Sequence, residues 1–300
     1  MRATEWPASP RPPVRLLLQW GVSVLREAGI ETARLDAEVL LADVLGCSRA
    51  QLFARFHDSV GQREAAAYRG LVVRRARGEP VAYILGRREF YGRAFYVDRR
   101  VLIPRPETEL LVERALTLLE GRPHPLVADI GTGSGAIAVT LAAERPDLRV
   151  IATDVSAGAL EVARLNAERH GVADRVDLRL GHLLEPLDEP VDLIGANLPY
   201  VGTEEAKRLP RDVVQYEPHE ALFAGPEGLA LIRELFASLQ PAHLKPGGAV
   251  LLEVGYGHGR EVVNLARQQW PQANVRLHKD LAGIERLVEI NFLSPATGEV

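Results

Sequence analysis

Cysteine is nearly absent from this sequence, and its scarcity excludes two kinds of stabilisation. The 300-residue chain contains only Cys47, so it forms no intrachain disulfide, and one thiol cannot build a cysteine zinc site. No run of about 18 apolar residues occurs, so a transmembrane helix is not expected. Residues 1–13 contain four prolines and no long apolar core, which is typical of a disordered lead-in and not of a signal peptide. We expect a cytoplasmic protein without a metal site.

Lysine is missing from residues 1–100, where 17 arginines and 11 acidic residues give a net charge of +6. The remaining 200 residues carry a net charge of −10. The basic first third is compatible with an acidic partner, although exposed helix faces often carry arginine as well. The whole chain has a formal net charge of −4, unlike the basic composition of a dedicated nucleic-acid-binding domain, so no stable nucleic-acid partner is expected.

The length and the apolar content of 47% predict a globular chain of two domains. Residues 14–78 show apolar positions at three- and four-residue steps, which predicts a small bundle of four or five helices. No cluster of catalytic side chains occurs there, so the bundle is expected to recognise a partner or to give structural support. Residues 79–102 contain an aromatic-rich stretch around Gly92, which predicts a hairpin linker.

Residues 103–300 alternate between predicted strands and helices, the pattern of a mostly parallel sheet with helices on both faces. Predicted strands cover 126–130, 149–153, 176–180, 191–196, 248–254, 273–278 and 286–291. Predicted helices cover 135–144, 157–170, 228–240 and 259–269. The last two strands are joined by a short loop and are expected to pair antiparallel. The fold class is therefore α/β, Rossmann-like, with a seven-stranded sheet and a small N-terminal helical bundle.

A glycine-rich loop follows the first strand of this sheet and opens a helix. It consists of Gly131, Thr132, Gly133, Ser134 and Gly135. Glycines let the backbone turn sharply and approach a ligand closely. Asp154 ends the second strand, where a carboxylate can accept both hydroxyls of a ribose. No lysine follows the loop, which argues against a triphosphate, so the sequence predicts a nucleoside ligand.

A polar segment follows the fourth strand at the same edge of the sheet. The Asn197 amide oxygen and the Leu198 carbonyl are two acceptors side by side, and Pro199 restricts Leu198 to extended backbone. Such a pair suits a planar NH₂ group, and Tyr200 adds a flat face. Taken alone, the four residues equally fit an ordinary Asn-Pro turn. Together with a nucleoside site they predict S-adenosylmethionine and methyl transfer to an amide or amino nitrogen.

Six segments in this order resemble the PrmC/HemK family, release factor glutamine N5-methyltransferases. They are residues 88–92, 101–109, 131–135, 197–200, 217–225 and 279–286. The most specific ends in Pro104-Arg105-Pro106-Glu107-Thr108-Glu109. The resemblance implies a class I S-adenosylmethionine-dependent methyltransferase domain at 103–300 and a bundle that docks a peptide-chain release factor. The implied substrate is the glutamine of the factor's Gly-Gly-Gln loop, and a monomer is expected.

The resemblance assigns roles to individual residues. Catalytic roles fall on Asn197, Pro199 and Tyr200, cofactor contacts on Gly131, Thr132, Gly133, Ser134, Gly135, Asp154, Leu183 and Asn197, and substrate contacts on Asn197, Leu198, Pro199 and Tyr200. Two positions depart from the family pattern: His182 replaces an acid before Leu183, and Leu198 replaces a proline. His182 is either an adenine contact or a surface histidine. Asn-Leu-Pro-Tyr is also similar to the motif of ribosomal RNA adenine dimethyltransferases, so adenine-N6 methylation of DNA or RNA stays an alternative, as does a non-catalytic cofactor-binding module.

Overall fold

A computed structural model describes residues 5–292 of the chain. Two compact units make up the chain. The first comprises Met1–Gly86 and Pro210–Tyr216, and the second comprises Arg87–Leu209 and Glu217–Val300. Among the described residues, none of the helices has the length and apolar character needed to cross a bilayer.

The described elements are numbered here in chain order. The helices are α1 (Val14–Glu27), α2 (Ala33–Val44), α3 (Arg49–Ala54), α4 (Gln62–Ala76), α5 (Val81–Leu85), α6 (Glu109–Leu118), α7 (Ala136–Glu144), α8 (Ala157–Arg169), α9 (Thr203–Ala206), α10 (Arg211–Tyr216), α11 (Ala230–Ser238) and α12 (Gly259–Gln269). The strands are β1 (Arg88–Phe90), β2 (Arg93–Phe95), β3 (Leu126–Ile130), β4 (Arg149–Asp154), β5 (Val176–Leu180), β6 (Val191–Ala196), β7 (Leu244–Glu253), β8 (Asn274–Lys279) and β9 (Glu285–Asn291).

The first unit is a helical bundle around a core that includes Leu17, Leu40 and Tyr68, each fully buried. Helix α5 belongs to this unit, although it lies in the range interpreted as a hairpin linker. The hairpin itself covers only β1 and β2, which pair antiparallel in the second unit. Helix α5 has only five residues, all apolar, so it shows no helical period beside the aromatic stretch that follows.

The segment before α1 differs from the expected disordered lead-in. Residues 1–4 lie outside the described residues, whereas Trp6 packs edge-on against Trp20 with ring centroids 4.6 Å apart. The backbone N–H of Val60 donates to the Pro12 carbonyl at 3.0 Å. Proline is compatible with such an extended edge because its missing N–H is not needed for pairing. An aromatic contact and a backbone hydrogen bond therefore hold a segment whose composition suggested disorder.

The second unit contains a seven-stranded sheet in the order β5-β4-β3-β6-β7-β9-β8. Strand β9 pairs antiparallel with both β7 and β8, and the other pairs are parallel. All residues of β3 and β6 are buried, as expected of central strands covered on both faces. The predicted fold class and the antiparallel last pair are confirmed, with strand and helix bounds within a few residues of those predicted.

A buried arginine ties the segment 210–216 to the helical unit. Arg75 Nε donates to Asp36 Oδ2 at 2.7 Å, and both side chains are less than a tenth exposed. Its Nη1 donates to the Glu79 carbonyl at 3.2 Å and to Asp212 Oδ2 at 3.3 Å. The guanidinium thus neutralises two carboxylates from distant parts of the chain.

Replacing Arg75 by alanine should destabilise the protein by about 3–5 kcal/mol, because Asp36 would remain as an uncompensated buried charge. The matched control is Arg55→Ala, which removes an exposed pair with Asp58 and should cost about 0–1 kcal/mol. Urea unfolding followed by tryptophan fluorescence measures both values. Equal losses in the two variants would show that Arg75 is not a buried anchor.

Candidate active site

A cavity of about 270 Å³ lies in the second unit, at the carboxyl ends of β3, β4 and β6. The position agrees with the general rule that ligands of open parallel sheets bind outside these strand ends. Its lining includes Gly131, Gly133, Asp154, Leu183, Asn197, Leu198 and Pro199. Seven residues that the sequence assigned to cofactor or substrate therefore share one cavity.

The glycine loop is fixed to the end of the neighbouring strand. The N–H groups of Gly131 and Thr132 both donate to the Thr153 carbonyl at 2.9 Å. Gly131 and Gly133 adopt φ values of +72° and +54°, a region that side chains rarely enter. A Cβ on Gly133 would meet no protein atom within 4 Å, so the space beside this glycine is open.

Asp154 is held by backbone groups on both sides. Its Oδ2 accepts from the Gly133 N–H at 2.9 Å, and its Oδ1 accepts from the Ser156 N–H at 2.9 Å. Burial raises the pKa of the Asp154 carboxyl, and the charge of Glu220 raises it further. Backbone N–H groups act in the opposite direction, because they favour the ionised form. The carboxylate is thus oriented before any ligand arrives.

The turn after β5 carries the two residues whose roles the sequence left open. Leu183 has a φ of +46°, an uncommon conformation for leucine, and its carbonyl accepts from Thr153 Oγ1 at 3.1 Å. His182 also lines the cavity, and its Nε2 lies 2.8 Å from Glu234 Oε1. His182 is therefore a partly exposed histidine whose ring already contacts an acidic side chain, as expected of a satisfied surface histidine.

Asn197 follows β6 and has one side-chain bond that decides its orientation. Its Nδ2 donates to Thr108 Oγ1 at 3.1 Å, and Thr108 is only 4% exposed. Among residues 5–292, no donor contacts Asn197 Oδ1 or the Leu198 carbonyl. Both acceptors are therefore available to a ligand in the cavity.

Leu198 and Tyr200, which follow Asn197, pack more tightly than the sequence suggested. Leu198 is 4% exposed and belongs to the core cluster around β3 and β6. Tyr200 does not line the cavity; a Cβ on Gly255 would lie 2.8 Å from its ring. Burial raises the pKa of Tyr200 above its ordinary value, so the phenol stays neutral. The absence of a side chain at Gly255 thus leaves room for the Tyr200 ring.

Three loop residues assigned to the cofactor do not line the cavity: Thr132, Ser134 and Gly135. Thr132 Oγ1 donates to Asp129 Oδ2 at 2.7 Å, and the Ser134 carbonyl accepts from Asn166 Nδ2 at 2.8 Å. A Cβ on Gly135 would lie 3.2 Å from that of Ala163, so this glycine allows α7 and α8 to approach. In the structure these residues brace the loop from behind.

One residue that lines the cavity, Val155, and one buried residue near it, Glu217, were not predicted from the sequence. Val155 is 56% exposed although it is apolar, and it borders the cavity beside Asp154. Glu217 is 3% exposed and accepts from the Ile103 N–H at 3.1 Å and from Arg105 Nη2 at 2.6 Å. Glu217 thereby joins two motif segments that the sequence showed only as separate stretches. The sequence showed that both segments resemble the same family, but it did not show that Glu217 contacts Ile103 and Arg105.

No group of three or more histidine, cysteine, aspartate or glutamate side chains within residues 5–292 is arranged to hold a metal ion.

Comparison with known proteins gives two family matches. Residues 17–86 match the PrmC N-terminal domain, and residues 106–217 match the methyltransferase small domain. Among solved structures, the hMettl16 catalytic domain in complex with a MAT2A 3′UTR hairpin is 19% identical with a TM-score of 0.56, covering 76% of this chain and 84% of that one. At this identity the likeness concerns the fold alone.

Two relatives match almost the full length. The release factor glutamine methyltransferase of Rhodopirellula baltica is 41% identical over 284 residues, covering 92% of this chain and 95% of the relative. That of Bordetella pertussis is 46% identical over 259 residues, covering 85% and 93%. With this coverage and identity, the chain belongs to the release factor glutamine methyltransferase family.

Proposed function

We propose that this protein transfers a methyl group from S-adenosylmethionine to the side-chain amide nitrogen of the glutamine in the Gly-Gly-Gln loop of peptide-chain release factors. One observation carries the proposal. The Asn197 Oδ1 and the Leu198 carbonyl have no donor among residues 5–292, and both residues line the same cavity as Asp154. Two free acceptors beside a nucleoside-type pocket match the two N–H groups of a primary amide.

The donor atoms present fit the nucleoside part of the cofactor. A carboxylate offers about four lone-pair sites. Backbone N–H groups occupy two of them on Asp154, so acceptors remain for two ribose hydroxyls. The open space beside Gly133 and the apolar faces of Val155 and Leu183 suit a flat base and its sugar. When bound, the cofactor supplies an electrophilic methyl group on a sulfonium.

At the acceptor end, the chain's contribution is orientation. A glutamine amide nitrogen is a poor nucleophile, because its lone pair is delocalised into the carbonyl. We assign one N–H of the amide to Asn197 Oδ1 and the other to the Leu198 carbonyl. Both dipoles would then stabilise the positive charge that develops on nitrogen as the N–C bond forms and the S–C bond of the sulfonium breaks. The leaving group is a neutral thioether, and the methylated nitrogen releases one N–H proton to solvent. Fixing the nitrogen in line with the methyl group removes most of the remaining entropic barrier.

The helical unit is assigned to docking of the release factor. All residues that line the described cavity belong to the second unit, so the bundle adds no group to the chemistry. Remote binding of a large substrate positions the reacting loop without chemistry of its own. We also infer that the protein acts in the cytoplasm, where release factors work, and acts as a monomer.

The direct test of the function is radiolabelled methyl transfer from S-adenosylmethionine to three acceptors: a release factor, the same factor with Gln→Ala in its Gly-Gly-Gln loop, and ribosomal RNA. We expect label only in the unchanged release factor. Labelled adenine in the RNA would favour the alternative that Asn-Leu-Pro-Tyr suggests. Label in the Gln→Ala factor would place the methyl group elsewhere.

Asn197→Ala should reduce turnover by about 10²–10³, the usual loss for one preorganised electrostatic contact. Cofactor affinity should change little, because Gly133 and Asp154 do not depend on this side chain. Asn264→Ala, on the exposed face of α12, is the matched control and should behave as wild type. Single-turnover kinetics and calorimetry separate the two effects, and a variant that loses cofactor affinity but keeps turnover contradicts the assigned role.

Asp154→Ala should weaken cofactor binding, because each charge-assisted bond to a ribose hydroxyl contributes at most about 1.5–3 kcal/mol. The control is Asp177→Ala on the neighbouring strand β5, whose carboxylate is exposed. Calorimetric titration with S-adenosylhomocysteine gives both affinities. If the two variants bind alike, Asp154 does not hold the ribose.

A further inference from the structure

Behind Asn197 lies a buried polar chain that the chemistry described so far does not use. Asn197 Nδ2 donates to Thr108 Oγ1 at 3.1 Å. Glu253, the last residue of β7, lies beside Thr108, whose hydroxyl lowers the pKa of the Glu253 carboxyl. Thr108 and Glu253 are 4% and 3% exposed. Three residues that are far apart in sequence thus form one line that ends at the candidate substrate site.

Glu253 is an unusual residue for such a position. Its Oε2 is buried without a hydrogen-bond partner, and among residues 5–292 it forms no ion pair. A buried carboxylate without full pairing is unfavourable for folding. Folding stability therefore does not explain why a carboxylate occupies this position.

We propose that Glu253 is a positioning residue whose carboxylate orients the Thr108 hydroxyl, so that Asn197 presents its oxygen and not its NH₂ group to the substrate. The inference rests on the proposed function, because it concerns the acceptor that holds the glutamine amide.

The protons available on Thr108 and Glu253 decide which way the Asn197 amide faces. A hydroxyl has one proton and two acceptor lone pairs, whereas an ionised carboxylate only accepts. The Thr108 proton is therefore committed to Glu253, and Thr108 can only accept from Asn197. The opposite flip of the Asn197 amide would set its oxygen against the Thr108 lone pairs and its NH₂ group against that of the substrate. An ionised Glu253 excludes this flip.

Protonation of Glu253 removes the constraint. A carboxylic acid can donate to Thr108, which frees the Thr108 proton to donate to the oxygen of a flipped Asn197. Burial, helped by the charge of Glu107, raises the pKa of Glu253, whereas Thr108, Arg286 and Arg105 lower it, and the net result is a pKa of about 7. The neutral Tyr200 lies in the same electrostatic surroundings. Since the ionised form is the competent one, turnover should rise with pH through this range.

The kinetic test measures kcat and KM for methyl transfer to the release factor from pH 6 to pH 9. Thr108→Val and Glu253→Gln should each lower kcat by about tenfold or more, with KM for the cofactor unchanged, since they act only on acceptor orientation. Thr108→Ser should recover most of the loss, because it restores the hydroxyl. Thr117→Val, which removes an exposed hydroxyl on α6, is the matched control and should behave as wild type.

The pH profile separates positioning from structural support. The wild-type kcat should rise with pH around neutrality, and Glu253→Gln should lose that rise, because its amide does not titrate. Its melting temperature at pH 8 should be no lower than that of wild type, because the substitution removes a buried charge. A Glu253→Gln enzyme with the wild-type slope, or a Thr108→Ser variant as slow as Thr108→Val, overturns the proposal.

A second measurement does not depend on the identity of the methyl acceptor. The side-chain NH₂ signals of Asn197, assigned by comparison with Asn197→Ala, report solvent exchange by NMR at pH 7.5. Exchange should be at least about tenfold faster in Thr108→Val and Glu253→Gln than in wild type, because the anchor has been lost. Unchanged exchange rejects the positioning role even if the glutamine assignment holds. Faster exchange in an enzyme that does not methylate glutamine keeps the positioning role and rejects the proposed function.

Discussion

The parallel register of three central strands is the constraint on which the site depends. Ile130 of β3 is paired with Thr153 of β4 on one side and with Ala196 of β6 on the other. Gly131, Asp154 and Asn197 are the residues that follow. Because the side-chain period of a strand is two, a slip of one residue in any strand would turn its apolar set away from the core and displace one of these groups. The core and the site are therefore fixed by the same pairing.

Segments outside the sheet complete the site by covering it from the side. Glu217 joins the stretch around Ile103 and Arg105 to the stretch that follows the long connection after Tyr200. Thr108 ends the same proline-rich stretch and contacts Asn197. Buried charge-assisted bonds of this kind have little freedom, since an unpaired carboxylate in their place would be costly. The Pro-Arg-Pro-Glu-Thr segment thus brings a hydroxyl to Asn197.

Sequence analysis recovered what depends on local pattern. The bounds of β3, β5 and β6 agree with the predicted strands, because short apolar runs between turn residues define them well. The glycine loop, Asp154 and Asn197 could be predicted to share one edge of the sheet because each lies at the carboxyl end of a strand. The contact between Thr108 and Asn197 joins residues 89 positions apart, and no periodicity encodes such a pair. Likewise, the composition of residues 1–13 gave no sign that Trp6 packs on the bundle.

The placement of residues 210–216 has a consequence for modularity. The chain crosses between the two units at residue 86, leaves the second unit again at 209 and returns to it at 217. The helical unit is therefore not a cassette at one end of the chain. Grafting it onto another catalytic domain would require three cuts, and a recipient that lacks the returning segment would leave Arg75 without Asp212. Recombination between family members is therefore expected to exchange both units together and not the helical unit alone.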